Sequence, residues 1–162
     1  MFGIGEHIIH PGQGVCTVIG FTEDGPQPMM ILEAKKGHAR TRMLYPLAQE
    51  GRLHPCISAG EAEALIETYD QLECDCFTER NSSLEEAYFK QQLKLGAPET
   101  VRVAKTMRRR IRDAEARDKK PSSYYTRVLK EAHRRSLEEL AVALGIEEDE
   151  VDARLQKAVQ TT

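Results

Sequence analysis

Pro55-Cys56-Ile57-Ser58-Ala59-Gly60-Glu61-Ala62-Glu63-Ala64-Leu65-Ile66 is where the grammar of this chain changes. Upstream, apolar residues form short runs punctuated by Gly and Pro. Downstream, they recur at helical spacing. Ser58 with Glu61 has the form of a capping box, in which a hydroxyl and a carboxylate satisfy each other's backbone N–H groups at a helix start. Ala62, Leu65, Ile66, Tyr69 and Leu72 then share one helical face. Reading outward from this junction divides the 162 residues into segments 1–58 and 59–162, each small for a domain.

The first segment reads as β. An extended stretch runs from Gly5 through Ile8 and Ile9 to a turn at His10-Pro11-Gly12-Gln13-Gly14, where Pro fixes φ and Gly tolerates positive φ. Val15–Phe21 is rich in β-branched residues, and Glu23-Asp24-Gly25-Pro26 turns the chain again. Met29–Ala34 and Arg40–Tyr45 come next, separated by Lys36-Gly37-His38. Four or five short strands at this spacing fit a small SH3- or Tudor-like β-barrel. Pro46 and Pro55 bracket a stretch that either completes the barrel or links it to the second segment.

The second segment reads as an all-α bundle of about five helices, so the fold class is α+β. Ser83 with Glu86 marks a second helix start, leading into Leu84, Tyr88 and Leu95. Gly96-Ala97-Pro98 breaks that helix, and Pro98 suits the first turn of the next. There Val101, Ala104, Met107, Ile111 and Ala114 form an inward stripe. After the loop Asp118-Lys119-Lys120-Pro121, a fourth helix turns Leu129, Ala132, Ser136, Leu140 and Leu144 inward and ends at Gly145. A last helix from Glu147 to Val159 buries Val151, Leu155 and Val159, with acids in its first turn to suit the dipole.

Net charge is only −3, but it is unevenly spread. Residues 98–135 carry thirteen basic and five acidic side chains, between acidic flanks. Arg102, Lys105, Arg109 and Arg112 fall on one helical face, away from the apolar stripe. Arg127, Lys130 and Arg134 repeat the spacing. Two readings stand open: the acids of residues 59–97 cover this stripe, or it meets an anionic polymer. No aromatic residues interleave with the cations, which argues against base stacking on single strands.

Little points to chemistry. No run approaches the roughly 18 apolar residues of a transmembrane helix. A secretory signal pattern is also missing, so a cytoplasmic location is expected. Cys16, Cys56, Cys74 and Cys76 do not suggest a disulfide framework. Cys74-Asp75-Cys76 has a poor metal spacing, although His54 and Cys56 offer it partners in principle. No phosphate loop, nucleophile elbow or paired catalytic carboxylate stands out. The expectation is a binding protein rather than an enzyme, with no cofactor, metal or small-molecule substrate.

The opening Met1-Phe2-Gly3-Ile4-Gly5-Glu6-His7-Ile8-Ile9-His10-Pro11-Gly12-Gln13-Gly14-Val15 resembles the start of the CarD/CdnL family of bacterial transcription regulators. It is also similar to the polymerase-interacting domain of the transcription-repair coupling factor. Ala104, Arg108, the basic run to Arg112, Leu129, Ala132, Glu139-Leu140-Ala141 and Ala143-Leu144-Gly145 agree with the family's last helices in order and spacing.

The resemblance implies that the N-terminal domain binds the β subunit of RNA polymerase by strand addition. The strand Arg40–Tyr45 would make the contact, with Arg40, Arg42, Met43 and Leu44 as interface residues. It further implies a helical domain that meets promoter DNA and modulates open complexes. In the family a tryptophan wedges into the minor groove, and that position falls here on Leu84. Its basic neighbours become Glu85, Glu86 and Ala87, leaving Tyr88 and a displaced Lys90. Leu84, Tyr88 and Lys90, with the stripe Arg102, Lys105, Arg109 and Arg112, are the expected DNA-contacting residues. A polymerase-binding adaptor that lacks DNA contact and recruits another protein through its helices is the alternative.

Overall fold

A computed structural model of the chain describes residues 1–160. It divides into two compact units, Met1–Cys56 and Ile57–Thr162. The fold is α+β: a five-stranded antiparallel sheet in the first unit and five α-helices in the second.

The strands are β1 (His7–His10), β2 (Gly14–Thr22), β3 (Met29–Lys36), β4 (Ala39–Pro46) and β5 (His54–Pro55). They lie in the order β4-β3-β2-β1-β5, which leaves β4 and β5 at the edges. Alternation decides the faces. Cys16 and Val18 on β2, Met30, Leu32 and Ala34 on β3, and Tyr45 on β4 turn to one side and join Ile8 and Leu53 in the core. A register shift between Val18 and Gly20 interrupts the β2–β3 ladder, a feature that bends and twists a strand. Gly14 ends the first turn at φ 83°, a conformation that L side chains rarely adopt.

The segment between Pro46 and Pro55 belongs to this unit. A 3-10 turn at Leu47–Arg52 delivers the chain to β5, where His54 and Pro55 pair with Ile9 and Ile8. Cys56 N–H then donates to the His7 carbonyl, and the unit ends there.

The helices are α1 (Ala59–Glu67), α2 (Ser82–Leu93), α3 (Glu99–Ala116), α4 (Ser123–Leu144) and α5 (Glu148–Gln160). The capping box at Ser58 and Glu61 forms, and Gly145 closes α4 in the left-handed conformation at φ 67°. Val101 clusters with Leu140, and Met107 with Val128, so α3 and α4 run antiparallel. Helices α1 and α5 pack at one end of this hairpin around Ile66, Val151 and Leu155. Helix α2 packs at the other end through Phe89 and Leu93. Full burial of a side chain such as Phe89, Met107 or Leu140 contributes about 1.5–3 kcal/mol.

Helix α2 departs from expectation. Its N-cap is Asn81, whose side-chain oxygen accepts from Ser83 and Leu84 N–H, rather than Ser83. Its buried face is Glu85, Phe89 and Leu93, and Leu84 is left 58% exposed. A carboxylate goes inward in place of a leucine because partners for it are waiting there. No helix among the described residues is long and apolar enough to cross a membrane.

Candidate functional site

The first candidate surface is the β4 edge. Among the described residues strand β4 pairs only with β3, and it is exposed along most of its length. Leu44 stands opposite Ile31 on the outer face and is 59% exposed. Arg42 stands opposite Glu33 on the same face, Nε 3.3 Å from its carboxylate. Arg40 reaches that carboxylate at 3.9 Å. Met43 faces the other way, opposite Leu32, and packs against the core. Arg40, Arg42 and Leu44 therefore share a surface, and Met43 supports it from behind.

In the helical unit, the most enclosed polar feature centres on Glu85, 7% exposed. Its carboxylate accepts from Arg110 Nη1 at 3.1 Å, from Glu79 N–H at 2.9 Å and from the Tyr124 hydroxyl. Arg110 also donates to the Asp75 and Phe77 carbonyls and lies over the Phe89 ring. Burial, and then the Glu85 carboxylate, push the Tyr124 hydroxyl's pKa upward. Asp75 accepts from Tyr88 at 2.7 Å, which raises that phenol to about 12, with burial adding to the effect. Tyr88 also stacks on Phe77, with centroids 3.9 Å apart. Together these contacts pin residues 73–80, which have no regular secondary structure, onto α2 and α3.

A second buried acid, Glu139, accepts from Ile57 N–H at 2.9 Å and Ala97 N–H at 2.7 Å. It ties the entry of the helical unit and the turn before α3 to α4. Burial raises its pKa against the opposing pull of those two donors.

These networks sort the cations of residues 98–135. Arg102 pairs with Glu99 at 3.3 Å and reaches the Glu73 carbonyl. Lys105 donates to the Tyr69 and Leu72 carbonyls at 2.6 and 2.7 Å and sits over the Tyr69 ring. Arg108 reaches the Tyr69 hydroxyl and His133, whose other ring nitrogen lies 3.1 Å from Asp152. Arg127 pairs with Glu86. Arg134 and Arg135 share Glu131, and Arg134 also takes Glu138. With Arg110, seven cations are engaged internally.

The side chains of Arg109, Arg112, Arg117, Lys119, Lys120 and Lys130 are exposed and carry no hydrogen bond or ion pair to any described residue. The four-residue stripe is thus split: Arg102 and Lys105 hold the fold, whereas Arg109 and Arg112 face solvent.

Of the α2 residues, Leu84 is open, Tyr88 is held by Asp75 and Phe77, and Lys90 pairs with Glu86 at 3.1 Å. The two acids beside Leu84 present little free charge. Glu85 is buried against Arg110, and Glu86 is clamped between Lys90 and Arg127.

Sequence reasoning did not foresee the pairing of Glu85 with Arg110 and Tyr124, the role of Asp75, or the burial of Glu139. One signal was available: Glu85 stands at i, i+4 and i+8 spacing with Phe89 and Leu93, an acid on an apolar face. Among the described residues no two cysteines form a disulfide. Among the described residues no group of three or more His, Cys, Asp or Glu is placed to hold a metal ion. Compared with models of known protein families and with curated protein sequences, the chain matches none.

Proposed function

We propose that this protein is a CarD/CdnL-like transcription regulator that docks on the β subunit of RNA polymerase through β4 and modulates promoter open complexes. The observation that carries the reading is the open edge of β4. An incoming strand gains main-chain hydrogen bonds there, and Leu44, Arg42 and Arg40 give it an apolar contact beside two cations. An exposed edge of this kind is a liability unless charges guard it or a partner covers it. In this reading the bent sheet closes as an SH3- or Tudor-like barrel, with the register shift in β2 supplying the bend. The protein acts by binding, without a cofactor or metal.

DNA contact by the helical unit is the second element. Leu84 supports it: an apolar side chain is held in solvent at a helix start, with its acidic neighbours neutralised. The adaptor alternative is favoured by Arg102 and Lys105, which are engaged within the fold.

The deciding experiment is retention of the full chain on the purified lobe of the polymerase β subunit. Saturable binding at micromolar concentration is expected, with loss in Leu44→Glu and Arg42→Glu. These side chains are exposed, so both variants should fold. Failure of the folded wild-type chain to bind would overturn the reading.

A further inference from the structure

We propose that Cys74 and Cys76 form a redox-sensitive pair, closed to a disulfide by small-molecule disulfides such as oxidised glutathione, and that closing it loosens the hold of Asp75 on α2. The pair lies in the helical unit and owes nothing to the polymerase-docking reading.

Placement comes first. Residues 73–77 run along α3, which holds them at alternate positions. Arg102 reaches the Glu73 carbonyl, and Thr106 Oγ1 accepts from Asp75 N–H at 2.9 Å. Arg110 donates to the Asp75 and Phe77 carbonyls. The Asp75 and Phe77 side chains turn the same way, onto Tyr88. Such alternation is that of an extended chain, whose successive side chains point to opposite sides. Cys74 and Cys76 therefore share the side that faces away from Tyr88. Cys76 is exposed and Cys74 half-buried. The Cys76 sulfur is folded back, 4.0 Å from the Cys74 carbonyl oxygen.

Exchange starts at the exposed thiol. The Cys76 thiolate attacks one sulfur of the small-molecule disulfide, a mixed disulfide forms and one small thiolate leaves. The Cys74 thiolate then attacks the Cys76 sulfur and expels the second small thiolate. Two protein thiols give up two electrons and two protons, and one disulfide becomes two thiols. Excess small thiol runs the sequence backwards.

Magnitudes decide what closure does. Two steps of extended chain separate Cα atoms by about 7 Å. Disulfides usually join Cα atoms no more than about 6.8 Å apart. Closure therefore bends the chain at Asp75, the residue between the thiols. Asp75 is tied at both main-chain groups and at both carboxylate oxygens. Besides Thr106 and Arg110, it holds the Tyr88 hydroxyl at 2.7 Å and Phe77 N–H at 2.9 Å. A bend there works against those bonds. The resulting disulfide is strained and easily reduced, as reversible disulfides are. By the same coupling, oxidation weakens the tie to Tyr88 and so to α2, which carries exposed Leu84 at its start.

The test is equilibration of the full chain in mixtures of reduced and oxidised glutathione, followed by alkylation and mass spectrometry. Wild type should reach a state with Cys74 joined to Cys76 and no glutathione retained, and excess dithiothreitol should restore both thiols. Cys74→Ser should instead keep one glutathione on Cys76. Cys76→Ser should react at Cys74 at least about tenfold more slowly, because that thiol is half-buried. Glutathione held stably by wild type, a disulfide that includes Cys16 or Cys56, or no reaction at either residue would overturn the pair. The coupling has its own readouts. Tyr88→Phe removes one tie of Asp75 and should shift the equilibrium toward the disulfide by about threefold to tenfold, the worth of one hydrogen bond. In oxidised wild type, amide hydrogen exchange should quicken across residues 75–93 and stay unchanged in α5. An unchanged equilibrium in Tyr88→Phe, or unchanged exchange in α2, would overturn the coupling.

Discussion

Two parts of one basic stretch have opposite fates. Arg102, Lys105, Arg108 and Arg110, in the N-terminal two thirds of α3, reach carbonyls, a phenol, a histidine and carboxylates of their own unit. The side chains of Arg112, Arg117, Lys119 and Lys120, at its end and in the loop after it, make no hydrogen bond or ion pair with any described residue. Arg109 lies among the first group in sequence but belongs with the second. Both groups are dense in cations. What differs is the company: residues 69–80 fold back along the first part and supply acceptors. A cationic stripe is therefore a ligand surface only where no segment of the same chain has already claimed it.

The largest expected effect tests this contrast at its most buried point. Glu85→Ala leaves the Arg110 guanidinium with a buried charge uncompensated, and should destabilise the helical unit by about 3–5 kcal/mol in denaturant unfolding. Arg109→Met, on the same helix, should change stability by no more than about 0.5 kcal/mol. Equal costs for the two would break the contrast.

Lys105→Met comes next. It removes the donor shared by the Tyr69 and Leu72 carbonyls and should cost about 1–3 kcal/mol in the same measurement. A neutral result would place Lys105 with the free cations and restore the full stripe as a candidate DNA surface.

A smaller effect is expected on α4. The hydrogen bond from Arg134, then that from Arg135, hold the Glu131 carboxyl down at about 2, below its unfolded value. Its contribution to stability is therefore present above the unfolded carboxylate range and is lost as pH falls toward 2. NMR titration of the Glu131 carboxyl should show that low midpoint, and Arg134→Ala should raise it. The gain in stability is small because Glu131 is 40% exposed and screened by solvent.

The smallest effect concerns the β4 edge. Leu44→Glu should leave stability within about 0.5 kcal/mol while abolishing retention on the polymerase β lobe. A stability loss of several kcal/mol would instead mark Leu44 as a packing residue.

Much of the architecture was legible in local pattern. The capping box at Ser58 and Glu61, the αL cap at Gly145 and the alternation along β2 and β3 each depend on residues close in sequence. Helix α2 was less legible. Its amphipathicity is blurred by a buried Glu85 and an exposed Leu84, and the partners that justify the inversion lie 25 and 39 residues further along. Of the candidate surfaces, the β4 strand could be picked from sequence, but the inward turn of Met43 and the ion pairs with Glu33 depend on the register against β3.

The sequence by itself determined the α+β order, the change of unit near residue 57 and the basic block of residues 98–135, because period, capping and composition are local properties. Only the tertiary structure decided which of those charges remain available to a partner. Holding a cation within the fold requires an acceptor within hydrogen-bond reach. For Lys105, Arg108 and Arg110 the chain brings those acceptors from more than twenty residues away.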